Sequence, residues 1–149
     1  MKYFTKEWWA SGGEDERCIY AYSEYLDSVR GDLPSGVVDL IDNHTLHDST
    51  LISIAVDVNR QTIEMITSGW DCKFANKLIY TLSFLGLTSF RMLAEDGVKE
   101  NFEANGIGDL GYYEFEISPE HEVEARMLFS SGAEMIINFE QLIVNTKYL

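Results

Sequence analysis

The sequence predicts an α+β domain: two N-terminal helices packed on a six- to seven-stranded, mostly antiparallel, strongly bent sheet. Three observations carry that expectation. Apolar residues recur every three to four positions before residue 45 and every two positions from Ser49 onward. Two later turns, each closed in its simplest register, set apolar side chains opposite apolar ones. A chain of 149 residues with two prolines and no low-complexity stretch leaves no linker, so one domain is expected over 1–149, helical over 1–45 and β over 49–146.

The helices come first. Thr5 stands where a cap belongs on a short turn, and Trp8 and Trp9 after it are too large to leave fully wet. From Glu14 the acids come early and Arg30 comes late, the order that a helix dipole favours. Ile19, Tyr22, Leu26 and Val29 share one face of this segment, and Gly31 ends it. Beyond the break at Leu33-Pro34-Ser35-Gly36, the apolar residues Val37, Val38, Leu40 and Ile41 build a second, shorter helix.

The strands follow. Ile52, Ile54, Val56 and Val58 alternate with Leu51, Ser53, Ala55 and Asp57. A two-residue turn at Asn59-Arg60 then pairs Val56 with Ile63 and Ile54 with Met65, which puts both apolar sets on one buried face. Residues 77–93 read as one long strand bent at Gly86, since no other turn residue flanks that glycine. Residues 95–111 hold four glycines without periodicity and read as a loop. Next comes a meander. The turn Ser130-Ser131-Gly132 sets Phe129 against Ala133, Met127 against Met135, Ala125 against Ile137 and Val123 against Phe139. The loop at 118–122 sets Ile117 against Val123, Phe115 against Ala125 and Tyr113 against Met127. A last short strand covers 142–144.

Composition narrows the function classes. Twenty-five acidic against eleven basic side chains give a formal charge of −14, so nucleic acid and anionic membrane surfaces would be repelled. Cys18 and Cys72 lack any framework or CxxC spacing and read as buried thiols of a reduced, cytoplasmic protein. The opening nine residues have no signal-peptide core, and the apolar stretch at 78–87 is broken by Thr81 and Ser83 and too short to span a bilayer.

One compact polar constellation exists, Asn43-His44-Thr45-Leu46-His47-Asp48 at the helix-to-strand junction. His44, His47 and Asp48 offer three donors for zinc, with an open position for catalysis. The spacing matches neither a helix face nor paired ligand motifs, and His121 falls in a turn. The plainer expectation is a structural junction in which His47 is hydrogen-bonded and Asp48 or Asn43 caps the backbone, with no metal and no cofactor. Gly106-Ile107-Gly108-Asp109-Leu110-Gly111 spells a nucleotide fingerprint but precedes a strand instead of opening a helix, so phosphate binding is rejected. No nucleophile elbow is present. Trp70 before Asp71 is expected to pack, and would be a binding anchor if exposed.

The outward face of the meander is the stronger functional signal. Glu114, Glu116, Glu124, Glu134 and Glu140 lie on it, with Glu120 and Glu122 in the adjoining loop. The register sets Glu114 beside Arg126 and Glu116 beside Glu124, an unfavourable like-charge pair. Residues 101–149 hold nine acids against Arg126 and Lys147, while residues 51–100 are nearly neutral. Two readings stand, a solvated face that keeps the protein soluble and a docking surface for a basic partner or a cation; on the second, Glu116, Glu124 and Glu140 lie together, exposed and unpaired.

The opening Lys2-Tyr3-Phe4-Thr5-Lys6-Glu7-Trp8 and the step Leu46-His47-Asp48-Ser49 into the first strand resemble a family of uncharacterised bacterial cytosolic proteins. The His-Asp-Ser step is also similar to that of small immunity proteins proposed in polymorphic toxin systems. The resemblance implies a β-rich bacterial protein with no established catalytic residues, and it supplies no substrate. The functional expectation is therefore a non-enzymatic binding protein, an immunity protein that neutralises a basic toxin. The alternative is a small enzyme or ligand- or metal-binding protein built on His44, His47 and Asp48.

Overall fold

The computed structural model describes residues 1–94, 106–119 and 122–149. Three helices precede the sheet: α1 (Lys6–Ala10), α2 (Arg17–Val29) and α3 (Ser35–Asn43). The added helix is the turn that Thr5 caps, its hydroxyl accepting from the Trp8 N–H at 3.2 Å. Asp15 holds the start of α2 by accepting from the Arg17 backbone and guanidinium, and that pairing draws its carboxyl down to about 2. The inner face of α2 is Tyr22, Leu26 and Val29. Ile19, expected beside them, is instead 45% exposed and packs outside the core.

Eight strands follow: β1 (Ser49–Asp57), β2 (Thr62–Trp70), β3 (Lys77–Leu85), β4 (Ser89–Leu93), β5 (Asp109–Ile117), β6 (Val123–Phe129), β7 (Glu134–Phe139) and β8 (Gln141–Tyr148). They form one antiparallel sheet in the order β4-β7-β6-β5-β1-β2-β3-β8, so the fold is α+β with more elements than expected. The first turn has the expected register, Val56 opposite Ile63 and Ile54 opposite Met65, with the Gln61 N–H closing on the Val58 carbonyl. The meander matches at every pair from Ile117–Val123 to Met127–Met135, and Gly132 takes the left-handed φ of 87° that its turn needs.

The long strand at 77–93 resolves into β3 and β4, separated by the bend at Gly86 (φ 67°). The bend does not break pairing. Leu85 pairs with Gln141 and Ser89 with Asn138, while the Glu140 N–H reaches the Leu85 carbonyl and the Thr88 N–H reaches Asn138. One ribbon, β3–β4 against β8–β7, therefore runs through both halves of the sheet and folds β1-β2-β3-β8 over β4-β7-β6-β5. Ile63, Met65, Leu82 and Phe84 from one half pack with Phe115, Met127, Ile137 and Phe139 from the other in a single core. Phe84 and Phe139 meet edge to face at 4.9 Å across the bend.

Helices cover what the folded sheet leaves open. Gly36 of α3 lies so close to the Leu142 carbonyl of β8 that a Cβ there would collide with it. Beyond Leu110, β5 has no second strand beside it among the described residues. The Tyr22 and Tyr25 hydroxyls accept from the Phe115 and Ile117 N–H groups at 2.6 and 2.8 Å, pairing donors that would otherwise lack partners.

Other expectations need correction. Ile52 sits in a bulge between Leu51 and Ser53, which turns it out, and Val56 and Val58 are also largely exposed. The last strand is longer than 142–144 because β3 pairs along all of it. Asp109, Leu110 and Gly111 belong to β5, not to a loop. Of the rest of that loop, 106–108 lead into β5 through a turn, while 95–105, like Glu120 and His121, lie outside the described residues. Cys72 is exposed and Cys18 half-buried, both as free thiols. No helix among the described residues is long and apolar enough to cross a membrane.

Candidate functional site

The two histidines of the junction face different neighbours. His44 closes α3, with Nε2 3.5 Å from Asp39 Oδ2 and its ring edge-on to Tyr80. His47 hydrogen-bonds through Nδ1 to the Gly111 carbonyl. That oxygen can only accept, so Nδ1 carries a proton and donates. Its Nε2 lies 3.6 Å from Asp48 Oδ1. Among the described residues no three His, Cys, Asp or Glu side chains are grouped to hold a metal ion. The expected Asp48 side-chain cap is absent: its carboxylate is exposed and accepts no backbone hydrogen bond among those described. What the junction uses is the Asp48 backbone, at a left-handed φ of 58°, whose N–H donates to the Leu110 carbonyl and starts β1 beside β5.

His47 does line a pocket. Between α2, α3 and β5 lies a cavity of about 260 Å³ walled by Phe4, Tyr22, Tyr112 and Tyr113, with His47 and Thr45 at one side. Burial pushes the Tyr113 phenol up to about 12, although the Leu46 N–H favours its ionised form. Tyr22 is raised by burial as well. Both phenols are therefore neutral at pH 7, suited to hydrogen bonding and to stacking, not to nucleophilic attack.

The acidic meander face is not an open surface. Glu114 is fully buried, and its carboxylate accepts from the backbone N–H groups of Lys2, Tyr3 and Phe4 at 2.8–3.1 Å. The N-terminal segment is thereby strapped across β5. Lys2 Nζ reaches Glu116 at 2.7 Å, and this hydrogen bond raises the lysine pKa. Lys6 lies 3.7 Å from Glu134. Arg126 stands between Glu116, at 3.0 Å, and Glu124, which it also bonds through Nε, and Arg91 approaches Glu124 at 3.9 Å.

The expectation that Glu116 and Glu124 are exposed and unpaired is overturned, because both are largely buried beneath these cations. Glu140 is exposed, in the β7–β8 turn beside Gly86. Trp70 is half-buried at the end of β2, with the Lys77 ammonium 5.3 Å from its ring, so packing covers the proposed anchor.

A different acidic surface was missed. On the outward face of α2, Glu16, Tyr20, Glu24 and Asp27 fall at steps of four, four and three, which makes one helical stripe. All four are exposed, Tyr20 by 64%, and among the described residues none of the three acids has a salt-bridge partner. The spacing was visible in the sequence, but the face opposite Tyr22 and Leu26 carried no sign that it stayed uncovered. No family model matches the chain, and no curated protein matches it.

Proposed function

We propose that this chain is a non-enzymatic bacterial binding protein, an immunity protein that neutralises a basic toxin through an acidic surface. The observation that supports the reading is the α2 stripe. Exposed Tyr20 lies between Glu16 and Glu24 along this stripe, with Asp27 a turn further on, so acids flank an aromatic anchor. The chain carries a net charge of −14, so the field around it attracts a basic protein and speeds encounter. The test is a pull-down from the native host at low and high salt with wild type, Tyr20→Ala and a Glu16→Gln, Glu24→Gln double variant. A basic protein retained by wild type at low salt, and lost from both variants, is the expected result. A partner that binds all three forms equally at either salt overturns the reading.

The pocket supports a second reading, a small-ligand protein in which His47 has a part and His44 and Asp48 do not. Its size and aromatic walls suit a small planar ligand with one donor for His47 Nε2. A fragment screen read by chemical shifts should place hits on His47 and Tyr113, and His47→Gln should weaken them. Hits confined to other surfaces would remove this reading.

A further inference from the structure

The walls of the His47 cavity are aromatic, yet they also carry a defined set of hydrogen-bonding groups. Three of its hydroxyls face backbone donors. Tyr22 Oη accepts from the Phe115 N–H at 2.6 Å, Thr45 Oγ1 accepts from the His47 N–H at 3.2 Å, and the Leu46 N–H is directed at the Tyr113 phenol. A hydroxyl that accepts from the backbone keeps its own proton for donation. Burial raises both phenols, Tyr113 to about 12, so each retains that proton near neutrality. His47 is the complement. Its Nδ1 proton goes to the Gly111 carbonyl, and in the neutral ring Nε2 is then an acceptor. Asp48 Oδ1 stands 3.6 Å from Nε2, outside hydrogen-bonding reach, so the nitrogen is not committed to it.

This lining discriminates among ligand classes. A charged ligand would shed its hydration against walls where, among the described residues, no lysine, arginine or carboxylate stands to replace it. The chain's charge of −14 weighs further against an anion. A hydrocarbon ring would cover the hydroxyl protons and the imidazole nitrogen and give none of them a partner. A neutral ring that carries a carbonyl beside an N–H meets both demands.

We propose that the cavity binds a neutral planar lactam, whose ring carbonyl accepts from the wall hydroxyls and whose ring N–H donates to His47 Nε2. The inference rests on the small-ligand reading of the pocket and narrows it to one chemical class. At about 260 Å³ the cavity is smaller than those of drug-sized ligands and suits one or two fused rings. Phe4 and Tyr112, stacked with centroids 5.4 Å apart, give it aromatic surface against which such rings pack. The hydroxyls and His47 then fix the orientation of a ligand that the aromatic walls alone would hold in any pose.

The test is an NMR titration of the full wild-type chain with four probes. Oxindole has both the carbonyl and the N–H, N-methyloxindole lacks the donor, indole lacks the carbonyl, and benzoate carries a charge. Oxindole should shift the amides of His47, Tyr112 and Tyr113 and bind about tenfold or more tightly than each of the others. Tyr113→Phe keeps the ring and removes one hydroxyl. It should weaken oxindole by about fivefold and leave indole unchanged. The probe series needs no substitution, so it decides the matter even if that variant folds poorly. Equal dissociation constants for all four probes at these amides would leave the small-ligand reading standing and overturn the lactam assignment. Tightest binding by benzoate would overturn it as well. No shift at these amides with any probe would remove the small-ligand reading and the lactam with it.

Discussion

The meander face and the outer stripe of α2 carry the same chemistry and put it to different use. On the meander, Glu114, Glu116, Glu124 and Glu134 are held down by backbone N–H groups, by Lys2 and Lys6 and by Arg91 and Arg126. On α2, the acids Glu16, Glu24 and Asp27 stand in water. The difference teaches that a run of acids on a strand face is not yet a surface. A buried carboxylate must be satisfied inside the protein, and it recruits whatever donors the fold can bring. Here it recruits the N-terminal segment, and the acids become part of what fixes that segment in place.

Removing Glu114 should break the comparison most severely. Its loss strands three backbone N–H groups and frees the strap, so Glu114→Ala should cost about 3 kcal/mol in urea unfolding. Exchange at the amides of Lys2, Tyr3 and Phe4 should rise well before the global transition. If those amides stay protected in the variant, the carboxylate is not what holds the strap.

The inner face of α2 responds to alkali. On the inner side Tyr22 is pushed above its ordinary value by burial, as is Tyr113 across the pocket, the latter to about 12. Between pH 10 and pH 12 the unfolded chain sheds phenolic protons that the native chain retains. Stability therefore falls as pH rises through this window, by about 1.4 kcal/mol per pH unit for each such phenol. Tyr113→Phe should flatten the slope by one proton, and Tyr22→Phe by another. Urea midpoints at a series of pH values measure both.

Arg126 tests the meander side alone. With the guanidinium gone, Glu116 faces Glu124 without the cation between them. Arg126→Met should cost about 1–2 kcal/mol, largely recovered by adding Glu124→Gln in the same chain. Simple additivity of the two changes would show that Arg126 does not mediate between the carboxylates.

The parts legible in the sequence were those whose partners are local. The meander register followed from a three-residue turn and an alternation of two, because one slipped residue would have turned every apolar side chain outward. The strap was invisible: Glu114 bonds backbone atoms 110 or more residues away, and a backbone N–H leaves no mark in the sequence. The Gly86 bend was legible as a bend, whereas the crossing between sheet halves depended on pairing with residues 134–148.

At the junction, the chemistry of His47 and Asp48 was legible and its purpose was not. A left-handed φ at Asp48 is a backbone demand that aspartate tolerates better than most residues. Asp48→Ala should accordingly cost about 1 kcal/mol and Asp48→Gly almost nothing. Equal losses for both would restore a side-chain role.

The smallest expected effect sharpens the comparison most. Glu16 and Glu24 are exposed and have no salt-bridge partner among the described residues. Substituting Gln at both should leave stability unchanged within about 0.5 kcal/mol, or raise it slightly. The same pair of changes on the meander, Glu116→Gln with Glu124→Gln, strips Arg126 and Lys2 of their partners and should be clearly destabilising. A stability-neutral pair on α2 that nonetheless abolishes partner capture would separate the two kinds of acid, one spent on the fold and one left for recognition. If the α2 pair proved as costly to stability as the meander pair, its carboxylates would be holding structure too, and the docking stripe would lose its physical basis.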